Sequence, residues 1–77
     1  MNKPTRLSEL ATRQSAMIGT ISGHPSLRSR LHELGFTPGA TVRLVARAAF
    51  GGALACQVRG STIALRKADA WCVELQA

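Results

Sequence analysis

The feature that most limits what this chain can fold into is a double corner, Leu34-Gly35-Phe36-Thr37-Pro38-Gly39-Ala40, between a run of helical spacing and a run of strand alternation. Upstream, Pro25 suits a first helical position, where its missing N–H costs nothing. Leu27, Leu31 and Leu34 follow at i, i+4 and i+7 and predict one apolar helix face. Gly35 is the expected left-handed residue just past the helix end, with Phe36 placed to pack back on Leu31. Thr37-Pro38-Gly39-Ala40 then reads as a type II turn, because proline presets the first central φ and glycine supplies the positive second one. A short helix is therefore fixed by local backbone chemistry against the strand that follows.

That strand is Thr41–Arg47, where Val42, Leu44 and Ala46 alternate with Arg43, Val45 and Arg47, one face in and one mostly out. Ala16–Ser22 reads as an earlier strand, bent at Gly19. Leu54–Leu65 carries a hairpin pattern. With Gly60-Ser61 as a type II′ loop, Arg59 faces Thr62, Val58 faces Ile63 and Cys56 faces Leu65, which puts Cys56, Val58, Ile63 and Leu65 on a single face. Arg66–Ala70 reads as a short turn, and Trp71–Leu75 as a closing strand with Trp71, Val73 and Leu75 on one side. Residues 1–6 are polar and expected to form a flexible tail, leaving one domain over 7–77; residues 7–14 read as a turn of helix or an irregular lead-in. The expected fold is mainly β: a closed or nearly closed small barrel of about five strands, with one short helix across an end.

Seventy-seven residues allow one modest core and no separate catalytic domain. No apolar run approaches the roughly 20 residues that span a bilayer, and the first ten residues lack a signal peptide, so a soluble, cytoplasmic protein is expected. Two cysteines, Cys56 and Cys72, are expected to be free thiols. Ten Lys and Arg against four Asp and Glu give a net charge of +6, a surface drawn to nucleic acid, anionic membrane or acidic protein.

Sites of chemistry are not evident. Glu9, Glu33, Asp69 and Glu74 are dispersed, "FGGA" has neither the lysine nor the length of a phosphate-binding loop, and Cys56 falls on the core face, away from His32. His24, His32, Cys56 and Cys72 lack the spacing of a metal-ligand set. The expectation is no enzyme activity, no cofactor and no dedicated metal site. Only Phe36, Phe50 and Trp71 are available to stack bases, which weakens the rival reading of a nucleic-acid-binding barrel.

Taken together, Arg28-x-x-Leu31-x-x-Leu34-Gly35-x-x-Pro38-Gly39 and the later Gly60-x-x-x-x-Leu65-Arg66-x-x-x-Ala70 resemble the FeoA family of bacterial ferrous iron transport proteins, from about Leu7 to Leu75. The resemblance implies an SH3-like small β-barrel and a cytosolic accessory protein that acts on FeoB, the membrane transporter. The same domain occurs at the end of iron-dependent repressors; a chain that starts with methionine and shows no DNA-binding helix pair is expected to be the free-standing form. Two segments depart from the family's pattern: Arg13–Ser15, where a glycine is usual, and Ala48–Ala53, where a proline-bearing loop is usual. Partner contacts are expected at a basic helix edge, Arg28, Arg30 and His32, together with Arg47 and Phe50. Binding is expected close to the anionic inner membrane face without insertion. Unpaired strand edges leave room for weak self-association, and no nucleic acid is expected.

Overall fold

The computed structural model describes residues 3–76, except the side chain of Phe50. Its strands are β1 (Ser15–Ile21), β2 (Thr41–Arg47), β3 (Ala53–Val58), β4 (Ser61–Arg66) and β5 (Val73–Leu75). Its helices are α1 (Pro25–Glu33) and α2 (Lys67–Trp71), with 3₁₀ turns at Leu7–Glu9 and Ala49–Gly51. All strand pairs are antiparallel, in the order β4-β3-β2-β1-β5.

β1 serves two neighbours in turn. Ser15–Met17 pair with β2, and Ile18–Ile21 pair with β5, with the register shifting between Ile18 and Thr20. Gly19 is the hinge, as its sequence position suggests. A Cβ there would lie 3.2 Å from the Glu74 carbonyl oxygen, so the β5 backbone comes close only because glycine has none.

The helix stop forms as expected. The Phe36 N–H donates to the Leu31 carbonyl at 2.9 Å and the Gly35 N–H to the His32 carbonyl at 3.0 Å, with Gly35 at φ +107°. These are the paired bonds of a Schellman closure. The next turn closes through Ala40 N–H to Thr37 O at 3.0 Å, with Gly39 at φ +88°. Phe36 and Leu31 are both fully buried in one core with Leu7, Ile18, Val42, Leu44 and Val58.

Five expectations need correction. The sheet is not closed into a barrel: β4 and β5 do not pair, and α2 packs against β3, β4, β5 and the Leu7–Glu9 turn instead. There are thus two short helices rather than one, and Trp71 ends α2 rather than starting a strand; its side chain is 52% exposed. Leu34 caps α1 and is exposed, since the chain reverses there and Phe36 supplies the buried group at the helix end. The hairpin turns on Arg59-Gly60, both at positive φ, so Val58 faces Ser61, Cys56 faces Ile63 and Leu54 faces Leu65. That register differs from the expected one by two residues, which keeps every side chain on its predicted face. Finally, Ala46 is exposed because a bulge at Val45 interrupts the alternation of β2.

The lead-in is tied down at both ends. Leu75 N–H donates to the Thr5 carbonyl at 2.9 Å, and Arg6 bridges Glu74. Glu9 accepts from the Thr5 N–H at 2.8 Å, the Thr5 hydroxyl at 3.0 Å and the Arg6 N–H at 3.1 Å, and these bonds hold its carboxyl below the ordinary glutamate range.

Candidate partner-binding site

α1 begins at His24, whose Nδ1 accepts from the Ser26 N–H at 3.1 Å and so caps the first turn ahead of Pro25. Leu31, with half-buried Leu27, seats the helix on the core. Arg28 and His32, one helical turn apart, are left on the exposed side. With Pro25 and Ser29 they line an open groove of about 370 Å³, whose other wall is Thr20 and Ile21 of β1 and Pro38 of the turn.

Arg30 does not share this edge. Two residues from Arg28, it points to the opposite side of the helix, where its guanidinium meets the Asp69 carboxylate at 3.2 Å and ties α1 to α2.

Arg47 is also committed within the chain. The bulge at Val45 changes the parity of β2, so Arg47 pairs across from buried Leu54 and lies on the core side of the sheet. There a single guanidinium nitrogen donates to the carbonyls of Ser8 at 2.7 Å and Leu10 at 2.6 Å. It lies about 20 Å along β2 from the turn that walls the groove. The backbone of Phe50 belongs to the Ala49–Gly51 turn; its side chain lies outside the described residues. The five expected contact residues therefore do not form one site: Arg28 and His32 come together, and Arg30 and Arg47 are turned to internal bonds.

Two arginines not singled out from the sequence brace the fold. Arg59 donates to the Thr37 hydroxyl at 2.7 Å and lies over Gly35, linking the hairpin tip to the helix corner. Arg6 donates to the Trp71 carbonyl at 2.9 Å and covers the Trp71 ring. Neither has a local sequence signal, because each partner is distant in the chain. Three of the four acids are thereby occupied: Glu9 by the lead-in, Asp69 by Arg30, and Glu74 at 4.0 Å from Arg6. Among the described residues no ion pair or side-chain hydrogen bond engages Arg13, Arg28, Arg43 or Arg66, and Arg47 and Arg59 bond only to neutral oxygens, so the unbalanced positive charge is spread over the surface.

Neither cysteine forms a disulfide. Cys56 is fully enclosed and burial pushes its thiol up to about 11, against a smaller opposing effect of Arg47. Among the described residues no three His, Cys, Asp or Glu side chains gather as a metal site would require. No helix among them is long and apolar enough to cross a membrane. Phe36 is buried and Trp71 lies under Arg6, which leaves no row of open aromatic faces for stacked bases among the described side chains.

A FeoA domain family model matches residues 5–77. Among solved structures, the chain is similar to the FeoA protein of Stenotrophomonas maltophilia complexed with zinc, at 34% identity and a TM-score of 0.82, over 95% of this chain and 91% of that one. That protein is described as a prokaryotic SH3 domain protein and put forward as a ferrous iron transport activating factor. A second FeoA, described as an iron uptake regulatory protein, is 28% identical with a TM-score of 0.83, over 94% and 93% of the two chains. A manganese-dependent transcriptional repressor shares the fold at 18% identity and a TM-score of 0.82, over 91% of this chain and 39% of its own. A search of the curated proteins gives no match. The mainly β, SH3-like reading of the sequence agrees with these likenesses, apart from the open sheet.

Proposed function

The chain belongs to the FeoA family, which is linked to ferrous iron transport, and from that premise we propose that it binds the cytosolic part of FeoB and modulates iron uptake without chemistry of its own. The contact is the α1 groove. One observation carries this: Arg28 and His32 stand together on its rim with no side-chain partner among the described residues, while Arg30 and Arg47 are bonded within the fold.

An acidic surface on the transporter is the complementary partner. The planar fork of Arg28 can take a carboxylate through two parallel bonds, and His32 beside it adds a donor. Because Leu31 and the Schellman closure already hold α1, little backbone order has to be supplied on binding. The remaining positive charge of the chain favours approach to the anionic inner leaflet, where the transporter lies, and hastens encounter at low salt.

The test is a pull-down of this protein by the cytosolic domain of FeoB, comparing wild type with Arg28→Glu/His32→Ala and with Arg43→Glu, a control of equal change in net charge. Loss of capture in the double variant with retention in the control supports the groove. Equal capture by all three removes α1 from the contact.

A further inference from the structure

The two edges of the sheet are treated differently. The outer edge of β5 is covered by the lead-in, through the Leu75 N–H to Thr5 O bond and the Arg6–Glu74 bridge. β4 contacts α2, yet among the described residues its outer edge has no paired strand and no backbone hydrogen-bond partner. Val58 and Ser61 flank the two-residue turn and form the bonded pair, so the alternate pairs Gln57–Thr62, Ala55–Ala64 and Ala53–Arg66 direct their backbone groups away from one another. Thr62 and Ala64 thus turn both N–H and C=O outward, and Arg66 its N–H. Natural edges are usually blunted by lysine, proline or a bulge. β4 has no lysine, proline or bulge within it and runs in unbroken register, with charge entering only at its Arg66–Lys67 end.

Charge selects what can pair there. β2, β3 and β4 contain no Asp or Glu. Arg66 stands on the exposed face of the edge strand with Lys67 next to it, and Arg43 lies in the row Arg43–Gln57–Thr62. A second copy of the chain would bring two charges of +6 together, which opposes self-pairing.

We propose that the open edge of β4 accepts an extended acidic segment of a partner protein by strand addition. Main-chain bonds to Thr62, Ala64 and Arg66 supply the pairing; a carboxylate opposite Arg66 supplies selectivity; and apolar residues on the other face extend the half-buried row at Ile63. This surface is separate from the α1 groove and does not depend on it.

The experiment follows backbone amides by NMR while adding an acetylated, amidated heptapeptide, Glu-Val-Thr-Val-Glu-Val-Thr, and a control with lysine for both glutamates. Saturable shifts centred on Thr62, Ala64 and Arg66 are expected, with the lysine peptide roughly tenfold weaker or worse. Ala64→Pro removes an outward N–H that an edge strand can forgo, and is expected to weaken binding roughly tenfold. Should Ala64→Pro disturb the spectrum beyond β4, Arg66→Glu carries the test, and is expected to invert the preference between the two peptides. Equal binding of both peptides by wild type, indifference to these variants, or shifts centred on α1 would overturn the proposal. A concentration-dependent dimer that Ala64→Pro abolishes would assign the edge to a second copy and overturn it equally.

Discussion

The Arg6 guanidinium lies 4.3 Å from the centroid of the Trp71 ring, and the same side chain donates to the Trp71 carbonyl at 2.9 Å. The exposed tryptophan is thereby a lid partner for the lead-in. Arg6→Ala is expected to lower stability by about 1–2 kcal/mol, the combined scale of a cation–π contact and a charged hydrogen bond. Urea titration of Arg6→Ala, Trp71→Ala and the double variant checks it: the pair should couple, and strict additivity would show that the contact contributes nothing. Tryptophan fluorescence should change in Arg6→Ala.

Arg47 closes the carbonyl end of the Leu7–Glu9 turn. Arg47→Ala leaves the Ser8 and Leu10 carbonyls without this donor and is expected to cost about 2–3 kcal/mol. Arg47→Lys should recover part of that loss, since one ammonium can still reach a carbonyl but the rigid fork is gone. Thermal or urea unfolding measures both.

Gly35 sits at φ +107°, a region that side chains with a Cβ rarely enter. A Cβ there would meet the Arg59 side chain at no less than 3.4 Å, so Gly35→Ala strains the backbone rather than creating a clash. A loss of about 1–2 kcal/mol is expected, read as a lower urea midpoint at unchanged slope.

Cys56 should resist alkylation at pH 8 in the folded protein while half-buried Cys72 reacts, because burial holds the Cys56 thiol protonated. The raised value also couples to stability. The unfolded chain releases this proton near 9 and the folded chain near about 11, so the contribution is complete below 9 and is lost as pH rises through that window. The stability difference between wild type and Cys56→Ala should therefore shrink between those pH values, and a constant difference would contradict the assignment.

What the sequence disclosed, and what it hid, divides by range of interaction. The corner at Gly35 and Pro38-Gly39 is local backbone chemistry, and it forms as read. The inward faces of β3 and β4 follow from alternation and survive even a wrong turn, because an error of two residues preserves parity. Trp71 falls in a helix rather than a strand because the buried Ala70 and the 3₁₀ turn at Leu7 seat a helical turn that five residues cannot declare alone. Arg47 looked outward by alternation; the bulge at Val45, a property of the β2–β3 pairing, turned it in. At the candidate site, the spacing of Arg28 and His32 sufficed to join them. The removal of Arg30 needed Asp69, which lies 39 residues along the chain.

The central claim is that the free charge of α1 makes the contact with the transporter. Titrating the cytosolic domain of FeoB against wild type and Arg28→Glu in low salt, by calorimetry, tests it most directly. The prediction is an affinity roughly tenfold or more weaker in the variant, with the gap narrowing as salt is added. Identical affinities at low salt would contradict it.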